Sequence, residues 1–203
     1  MDIRTAQLTD KAHIVDLIYS AGPELYDFLY QTSRHRAQDF IAYEFASGRG
    51  FCGYPNVTVA VRDGVVVGTG CFFDGKNYDR LSLQTLRNMI AFYGWREIVP
   101  VLLHTTHIGS VMKRPKKDEL YLSNFGVAPT CRSQGIGRAI IEQQIARAKQ
   151  QGYRLFALDV AATNPRAQKL YESLGLHVIC QKAFSGKRAG HNVPDARKME
   201  RIL

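Results

Sequence analysis

Two glycines and two arginines cluster where a strand is expected to turn into a helix. Gly135 and Gly137 are separated by one residue, and Arg132 and Arg138 flank them in the stretch VAPTCRSQGIGRAII. A strand-to-helix turn points several backbone N–H groups the same way, and the helix dipole adds partial positive charge there. Glycine lets the backbone approach an anion closely, and arginine adds charge-assisted hydrogen bonds. The stretch therefore predicts a site for a phosphate or diphosphate.

Two familiar phosphate-binding patterns do not fit this stretch. A P-loop needs Gly-x-x-x-x-Gly-Lys-Ser/Thr, and no Lys-Ser/Thr follows Gly137. A dinucleotide fingerprint needs Gly-x-Gly-x-x-Gly, but Arg138, Ala139 and Ile140 follow the second glycine. A plain loop-to-helix junction, in which glycine only allows close packing, stays open as the simplest alternative.

A second stretch, NPRAQKLYESLGL, begins at Asn164 and accompanies the glycine-rich turn. Residues 127–137 read VxPxxRxxGxG, and residues 164–175 read NxxAxxLYxxLG. With this spacing, the two patterns resemble motif A and the following half of the signature of the GNAT superfamily of N-acetyltransferases. The resemblance is firm over residues 119–184 and only architectural over residues 2–73. It does not cover residues 76–118.

The resemblance implies acetyl-CoA as co-substrate and an amine as acceptor. It implies that backbone amides from Gln134 through Arg138 hold the diphosphate, and that the edge of the fourth strand pairs with the pantetheine arm. Asn164 would hydrogen-bond the same arm, although capping of the helix that follows is an alternative role. The residues implied for cofactor binding are Phe125, Gly126, Val127, Arg132, Ser133, Gln134, Gly135, Ile136, Gly137, Arg138 and Asn164.

Tyr171 is the catalytic acid that the resemblance implies. A phenol has an ordinary pKa of about 10 and can donate a proton to the departing sulfur of a thioester. The attacking amine must also lose a proton, and we name Glu119 at the start of the fourth strand as a candidate base. Asp159, His104 and His107 are further candidates, Asp159 having a structural role as its alternative. Ordered water without any base also stays open.

Composition places the chain among globular proteins with a substantial core. Its 203 residues are 45% hydrophobic, which predicts one domain over residues 1–203. The formal charge of +9 favours polyanionic partners: nucleic acid, acidic lipid or a phosphate-bearing cofactor. No apolar run of 18 residues and no secretory leader is found, so we expect a cytoplasmic protein that does not bind membranes. The four cysteines lack metal-ligand spacing, and we expect neither a metal nor a disulfide framework.

The pattern of elements predicts an α/β (α+β) fold, and the resemblance implies that this fold is of the GNAT type. It has a mixed central sheet of about seven strands flanked by helices, with a helical insertion at about residues 76–118 between strands three and four. Asp63-Gly64 predicts the hairpin turn between strands two and three, and Thr9 the cap of the first helix. Pro100 is expected to break the insertion, and Pro129 to end the fourth strand. The strand–helix–strand segment from residue 119 to 160 predicts a parallel crossover.

The function predicted from these residues is N-acetyl transfer from acetyl-CoA by direct attack of a primary amine. The acceptor, a small molecule or a protein N-terminus or lysine, stays open. A catalytically silent CoA-binding module is one alternative, and a basic nucleic-acid-binding protein is a second that we favour less. Dimers are common in the family that the chain resembles, so a homodimer is also kept.

Overall fold

A seven-stranded mixed sheet forms the centre of the computed structural model, which describes residues 1–185 and 192–203. The strands are β1 Asp2–Thr5, β2 Val57–Arg62, β3 Val65–Asp74, β4 Glu119–Val127, β5 Leu155–Ala161, β6 His177–Lys182 and β7 Ala196–Ile202. Their order across the sheet is β1-β2-β3-β4-β5-β7-β6. Within the described strands, β4 and β5 pair in parallel and every other neighbouring pair is antiparallel.

Six helices of the described residues flank this sheet. They are α1 Lys11–Tyr19, α2 Pro23–Tyr30, α3 Ala37–Ser47, α4 Tyr78–Thr105, α5 Ile136–Gln150 and α6 Pro165–Ser173. Short 3₁₀ turns occupy Leu8–Asp10, Tyr54–Asn56, Ile108–Ser110 and Pro129–Cys131. The predicted fold is confirmed: the sheet has seven strands of mixed direction, and α4 forms a helical insertion between β3 and β4.

Helix α5 packs on the sheet through the apolar stripe that its sequence predicts. Ile136, Ile140, Ile141, Ile145 and Ala148 are all buried, each with 5% or less of its surface exposed. They contact apolar side chains of the central strands, among them those of β4 and β5. Because burying one such side chain stabilises a fold by about 1.5–3 kcal/mol, this stripe fixes where the N-terminus of α5 lies.

The hairpin between β2 and β3 turns where the sequence predicts. Asp63 has a φ of 52° and Gly64 a φ of 78°, so both central residues take left-handed conformations. A two-residue turn with positive φ at both positions matches the twist of an antiparallel pair. This pair carries β3 to its place beside β4.

Two predictions about helix boundaries are wrong. Helix α4 bends at Gly94, with φ 60° and ψ −174°, while Pro100 lies inside its second half. A helix continues through a proline at the loss of one hydrogen bond, but not through a left-handed φ with an extended ψ. Helix α1 begins at Lys11 rather than after Thr9, since the 3₁₀ turn precedes it and the Asp10 carboxylate accepts the Gln7 N–H at 2.7 Å.

The parallel neighbours β4 and β5 separate half-way along their length. Pairing runs from Glu119 with Leu155 to Leu122 with Leu158 and then stops. On the other side of β4, Asn124 and Phe125 lie opposite the single residue Gly70, and Asn124 has a φ of 53°. Such a bulge bends its strand, so the second half of β4 diverges from β5 and leaves a slot.

Among the helices of the described residues, no stretch has both the length and the apolar character that crossing a lipid bilayer requires.

Candidate active site

A cavity of about 560 Å³ opens where β4 and β5 part. Its walls are residues 122–127 of β4, residues 158–161 of β5, the turn before α5 and one face of α6. Ser20 and Ala21, at the end of α1, close it from another side. The cavity brings together ten of the eleven residues predicted for cofactor binding, namely Phe125, Gly126, Val127, Arg132, Ser133, Gly135, Ile136, Gly137, Arg138 and Asn164, while Gln134 lies between two of them in the chain.

The turn into α5 presents free backbone N–H groups. Ala139 donates to the Gly135 carbonyl at 3.0 Å, and Ile136, Gly137 and Arg138 form the first turn of the helix, where N–H groups lack intrahelical acceptors. Within the described ranges, no backbone acceptor meets the N–H of Gln134 or Gly135. With the dipole of α5 added, these five amides form a cradle suited to an anion. We call residues 134–138 the anion cradle.

Glycine is needed at the two positions of the anion cradle for different structural reasons. Gly135 is the N-cap residue of α5 and has a φ of 78°, a conformation that side chains with a Cβ rarely take. Gly137 has no such φ, but a Cβ there would lie 3.1 Å from the Phe125 ring. Gly137 therefore lets the helix approach β4 closely. The plain-packing alternative explains Gly137 and leaves the left-handed turn at Gly135 to be explained.

Three arginine side chains lie at the anion cradle: that of Arg138, which belongs to it, and those of Arg132 and Arg166. Arg132 donates from Nε to the Val127 carbonyl at 3.1 Å, and Arg138 contacts Glu142 at 3.1 Å. Arg166, in the first turn of α6, donates to the Ser133 hydroxyl at 2.8 Å from the opposite wall. Sequence reasoning did not single out Arg166. Its place two residues after Asn164, at the start of a helix facing the cavity, was the available signal.

Tyr171 lies on the cavity wall formed by α6. It is 6% exposed, and its ring centroid is 6.4 Å from that of Phe125. Burial raises the pKa of Tyr171 above its ordinary value, so the hydroxyl stays protonated across the neutral range. Within the described residues its hydroxyl has no hydrogen-bond partner, and it can therefore donate its proton to a ligand.

Asn164 can fill both of the roles considered for it. Its Oδ1 accepts the Ala167 N–H at 3.0 Å, which makes it the N-cap of α6. The same side chain lines the cavity. Its Nδ2 is not used by the cap, so the amide can still donate to a ligand. The alternatives of cap and ligand are thus compatible.

The position of Glu119 contradicts the prediction that it is the catalytic base. Glu119 begins β4, whereas the cavity begins at Leu122, about 10 Å further along the strand. Its side chain is fully buried, and Oε2 accepts the Lys116 N–H at 3.1 Å. Lys198 Nζ lies 3.2 Å from Oε1 in an ion pair outside hydrogen-bond geometry. Glu119 joins β4 to β7 and does not face the cavity.

Of the other base candidates, Asp159 lies at the cavity. Its Oδ2 accepts the Tyr121 hydroxyl at 2.6 Å, and Lys182 Nζ contacts its two oxygens at 2.9 and 3.1 Å. This buried ion pair supports the structural role that was the alternative. The His104 ring stacks on the Phe28 ring, with 4.7 Å between their centroids. His107 Nδ1 lies 2.9 Å from the Ser185 hydroxyl. Neither histidine lines the cavity.

The loop of residues 48–54, between α3 and β2, is held by a buried carboxylate. Glu44 is 3% exposed and accepts the Thr85 hydroxyl at 2.5 Å and the Cys52 N–H at 3.3 Å. Asn124, the bulge residue of β4, donates to Cys52 Sγ at 3.3 Å. The loop is therefore connected both to α4 and to the wall of the cavity.

The known proteins to which this chain is similar are acetyltransferases. A family model described as Acetyltransferase (GNAT) family matches residues 16–176. A curated relative, the probable N-acetyltransferase camello of Xenopus laevis, is 38% identical over 71 residues, 34% of this chain and 32% of that protein. The [Ribosomal protein bS18]-alanine N-acetyltransferase of Escherichia coli K12 is 42% identical over 60 residues, 30% of this chain and 40% of that protein. The matches thus span less than half the length of these curated relatives.

Solved structures share the fold over the whole chain. The crystal structure of an acetyltransferase superposes with a TM-score of 0.72 at 20% identity, covering 100% of both chains. An N-acetyltransferase from Staphylococcus aureus Mu50 gives 0.69 at 17% identity, covering 99% of this chain and 100% of its own. The protein yncA from Salmonella typhimurium, solved with its cofactor acetyl-CoA, gives 0.56 at 20% identity, covering 100% and 94%.

Proposed function

Because this chain belongs to the GNAT family of acetyltransferases, we propose that it transfers an acetyl group from acetyl-CoA to a primary amine. The single observation that carries the proposal is the anion cradle, whose free amides lie at a cavity beside a buried tyrosine, four of its five residues lining that cavity. A diphosphate needs donors of this kind, and a thioester needs an acid near its sulfur.

The cavity offers donors that suit the diphosphate and the pantetheine arm of the cofactor. The amides of Gln134 through Arg138, with Arg132 and Arg138, would bind the diphosphate, and the Asn164 amide the pantetheine arm. Beyond Leu122, β4 has lost its partner β5, so the polar backbone of Phe125 and the N–H of Val127, whose carbonyl accepts from Arg132, are available to pair with the amides of that arm. Ser133, the exposed residue directly before the cradle, also lines the cavity.

Bound acetyl-CoA would supply an activated acyl thioester. In direct attack, the amine nitrogen forms a bond to the acyl carbon, the carbonyl oxygen gains charge, and the bond from carbon to sulfur breaks. A backbone N–H near Val127 would meet the charged oxygen. Tyr171 would donate its proton toward the sulfur as the bond breaks.

The raised pKa of Tyr171 decides how this proton moves. A thiol has an ordinary pKa of about 8.5, so a buried phenol does not give up its proton to a free thiolate at equilibrium. The hydrogen bond from Tyr171 therefore stabilises the charge on sulfur in the transition state. The proton lost by the amine then neutralises the thiolate. Water carries that proton in our proposal, because Asp159 is paired with Lys182 and Glu119 lies elsewhere.

The acceptor stays unassigned beyond its amine. One curated relative is named for an alanine of ribosomal protein bS18. A peptide N-terminus is therefore one class to include in a panel, beside polyamines and other small amines. A cytoplasmic location and a homodimer stay predictions from the sequence and the family resemblance.

Thermal denaturation with and without acetyl-CoA tests the proposal first. A ligand that binds only the native state adds about 2.7 kcal/mol of stability at a hundredfold excess over its dissociation constant. Thiol release should then require an added amine. No thiol release with any amine would support the silent-module alternative. Release that needs no amine would indicate hydrolysis of the thioester and would contradict transfer to an amine, and no thermal shift at millimolar acetyl-CoA would also contradict the proposal.

A further inference from the structure

Arg166 bridges the outer mouth of the cavity. It stands in the first turn of α6, and its guanidinium donates to the Ser133 hydroxyl, 2.8 Å away on the opposite lip. Both residues line the cavity and both are exposed. A charged side chain thus spans the opening through a single hydrogen bond to a neutral hydroxyl. Because both residues are exposed, solvent or a more strongly accepting anion can replace that hydroxyl.

The charge of Arg166 is less compensated than that of Arg138. Arg138 also lines the cavity, but Glu142 accepts its hydrogen bond at 3.1 Å. Arg132 lies in the same loop as the cradle and is bonded to the Val127 carbonyl. In the described part of the chain, Arg166 has no carboxylate partner. The one acidic residue among the described lining residues, Asp159, is paired with Lys182.

The order of groups in the cofactor decides which anion reaches Arg166. This step rests on the proposed function, in which the thioester lies by Tyr171 and the diphosphate on the anion cradle. Beyond the diphosphate, coenzyme A continues with a ribose that bears a 3′-phosphate. A phosphate monoester carries about −1.5 to −2 charge near pH 7, more than either phosphate of the diphosphate.

We propose that Arg166 binds the 3′-phosphate of acetyl-CoA and makes the protein select it over the dephospho form. The guanidinium exchanges the Ser133 hydroxyl for phosphate oxygens, to which its planar fork can donate two parallel hydrogen bonds. The diphosphate already has five amides and two arginines of its own loop, whereas Arg166 approaches from the other wall.

The experiment compares acetyl-CoA with 3′-dephospho-acetyl-CoA by isothermal calorimetry on the full chain. The wild-type protein should bind acetyl-CoA about tenfold or more tightly than the dephospho form, as loss of a charge-assisted contact implies. Arg166→Gln should lower the affinity for acetyl-CoA by a similar factor and leave the affinity for the dephospho form nearly unchanged. Arg166→Lys, which keeps the charge without the fork, should retain part of the preference.

Arg62→Gln is the matched control. Arg62, on β2, donates to the Gln134 side chain at 2.6 Å and lies outside the cavity lining, so this change should leave the ratio of the two affinities as in the wild type. Equal weakening of both ligands by Arg166→Gln would place Arg166 on the diphosphate and overturn the proposal. Equal wild-type affinities for the two ligands would also overturn it while leaving the proposed function intact. Binding of neither ligand would overturn both.

Discussion

Tyr171 combines two properties that a proton donor to sulfur needs. It is buried on the cavity wall, and its hydroxyl has no partner within the described residues. Its raised pKa keeps the donor protonated, so we expect no loss of kcat from its ionisation below its ordinary pKa of about 10. The residue is thus ready to donate whenever a ligand presents an acceptor.

Tyr171→Phe should lower kcat about 100-fold, the scale of a lost general acid. Because no protein hydrogen bond is removed, the free energy of unfolding and the affinity for acetyl-CoA should stay close to the wild-type values. Steady-state kinetics with thiol detection, beside calorimetry of acetyl-CoA binding, separate the two effects. Equal kcat in both proteins would remove Tyr171 as the acid.

Gly135→Ala tests the left-handed turn of the anion cradle. A Cβ meets no atom there, so any effect must come from the φ of 78°. We expect a loss of about 1 kcal/mol in the free energy of unfolding and about tenfold weaker acetyl-CoA binding, as φ relaxes and the amides rotate. Gly109→Ala is the control, since that glycine also has open space but no positive φ. Similar losses in both variants would contradict the account.

Among the elements, the loop of residues 48–54 depends on the carboxylate of Glu44 on α3. Glu44 joins this loop to Thr85 and Asn88 of α4, without a cationic partner among the described residues. Burial raises its pKa, against the opposing effect of those hydrogen bonds. The folded protein therefore holds this proton more tightly than the unfolded chain does.

Glu44→Gln should remove a pH dependence of stability. With a folded pKa above the unfolded one, wild-type stability falls as pH rises from the ordinary glutamate value of about 4.3 through the raised pKa, and is constant beyond it. Glu44→Gln should lack this fall. Urea unfolding at several pH values measures it, with the exposed Glu24→Gln of α2 as control. Parallel pH curves for the wild type and Glu44→Gln would refute the assignment.

Elements with a clear period or turn signal could be predicted from the sequence, and the site only in part. The isoleucine stripe of α5 and the Asp63-Gly64 turn needed only local information. Glu119 failed because a carboxylate at the start of a parallel strand lies at the edge opposite the one where strands diverge. Arg166 was missed because only the folded chain shows that α6 faces the anion cradle.

At the scale of the whole molecule, the elements of the fold place the groups of the proposed chemistry around the cavity. The bulge at Asn124 parts β4 from β5, the buried stripe of α5 fixes the anion cradle, and α6 brings Tyr171 and Arg166 to the opposite wall. The net charge of +9 suits a polyanionic cofactor, and three of the arginines lie at this cavity. The proposed function depends on the amides of the cradle meeting a diphosphate.

A crystal structure of the protein grown with coenzyme A tests that dependence most directly. The account predicts diphosphate oxygens about 2.7–3.2 Å from the backbone nitrogens of residues 134–138, with the thiol end pointing toward Tyr171. A nucleotide bound at another surface, or those nitrogens bonded instead to groups of the protein itself, would contradict it.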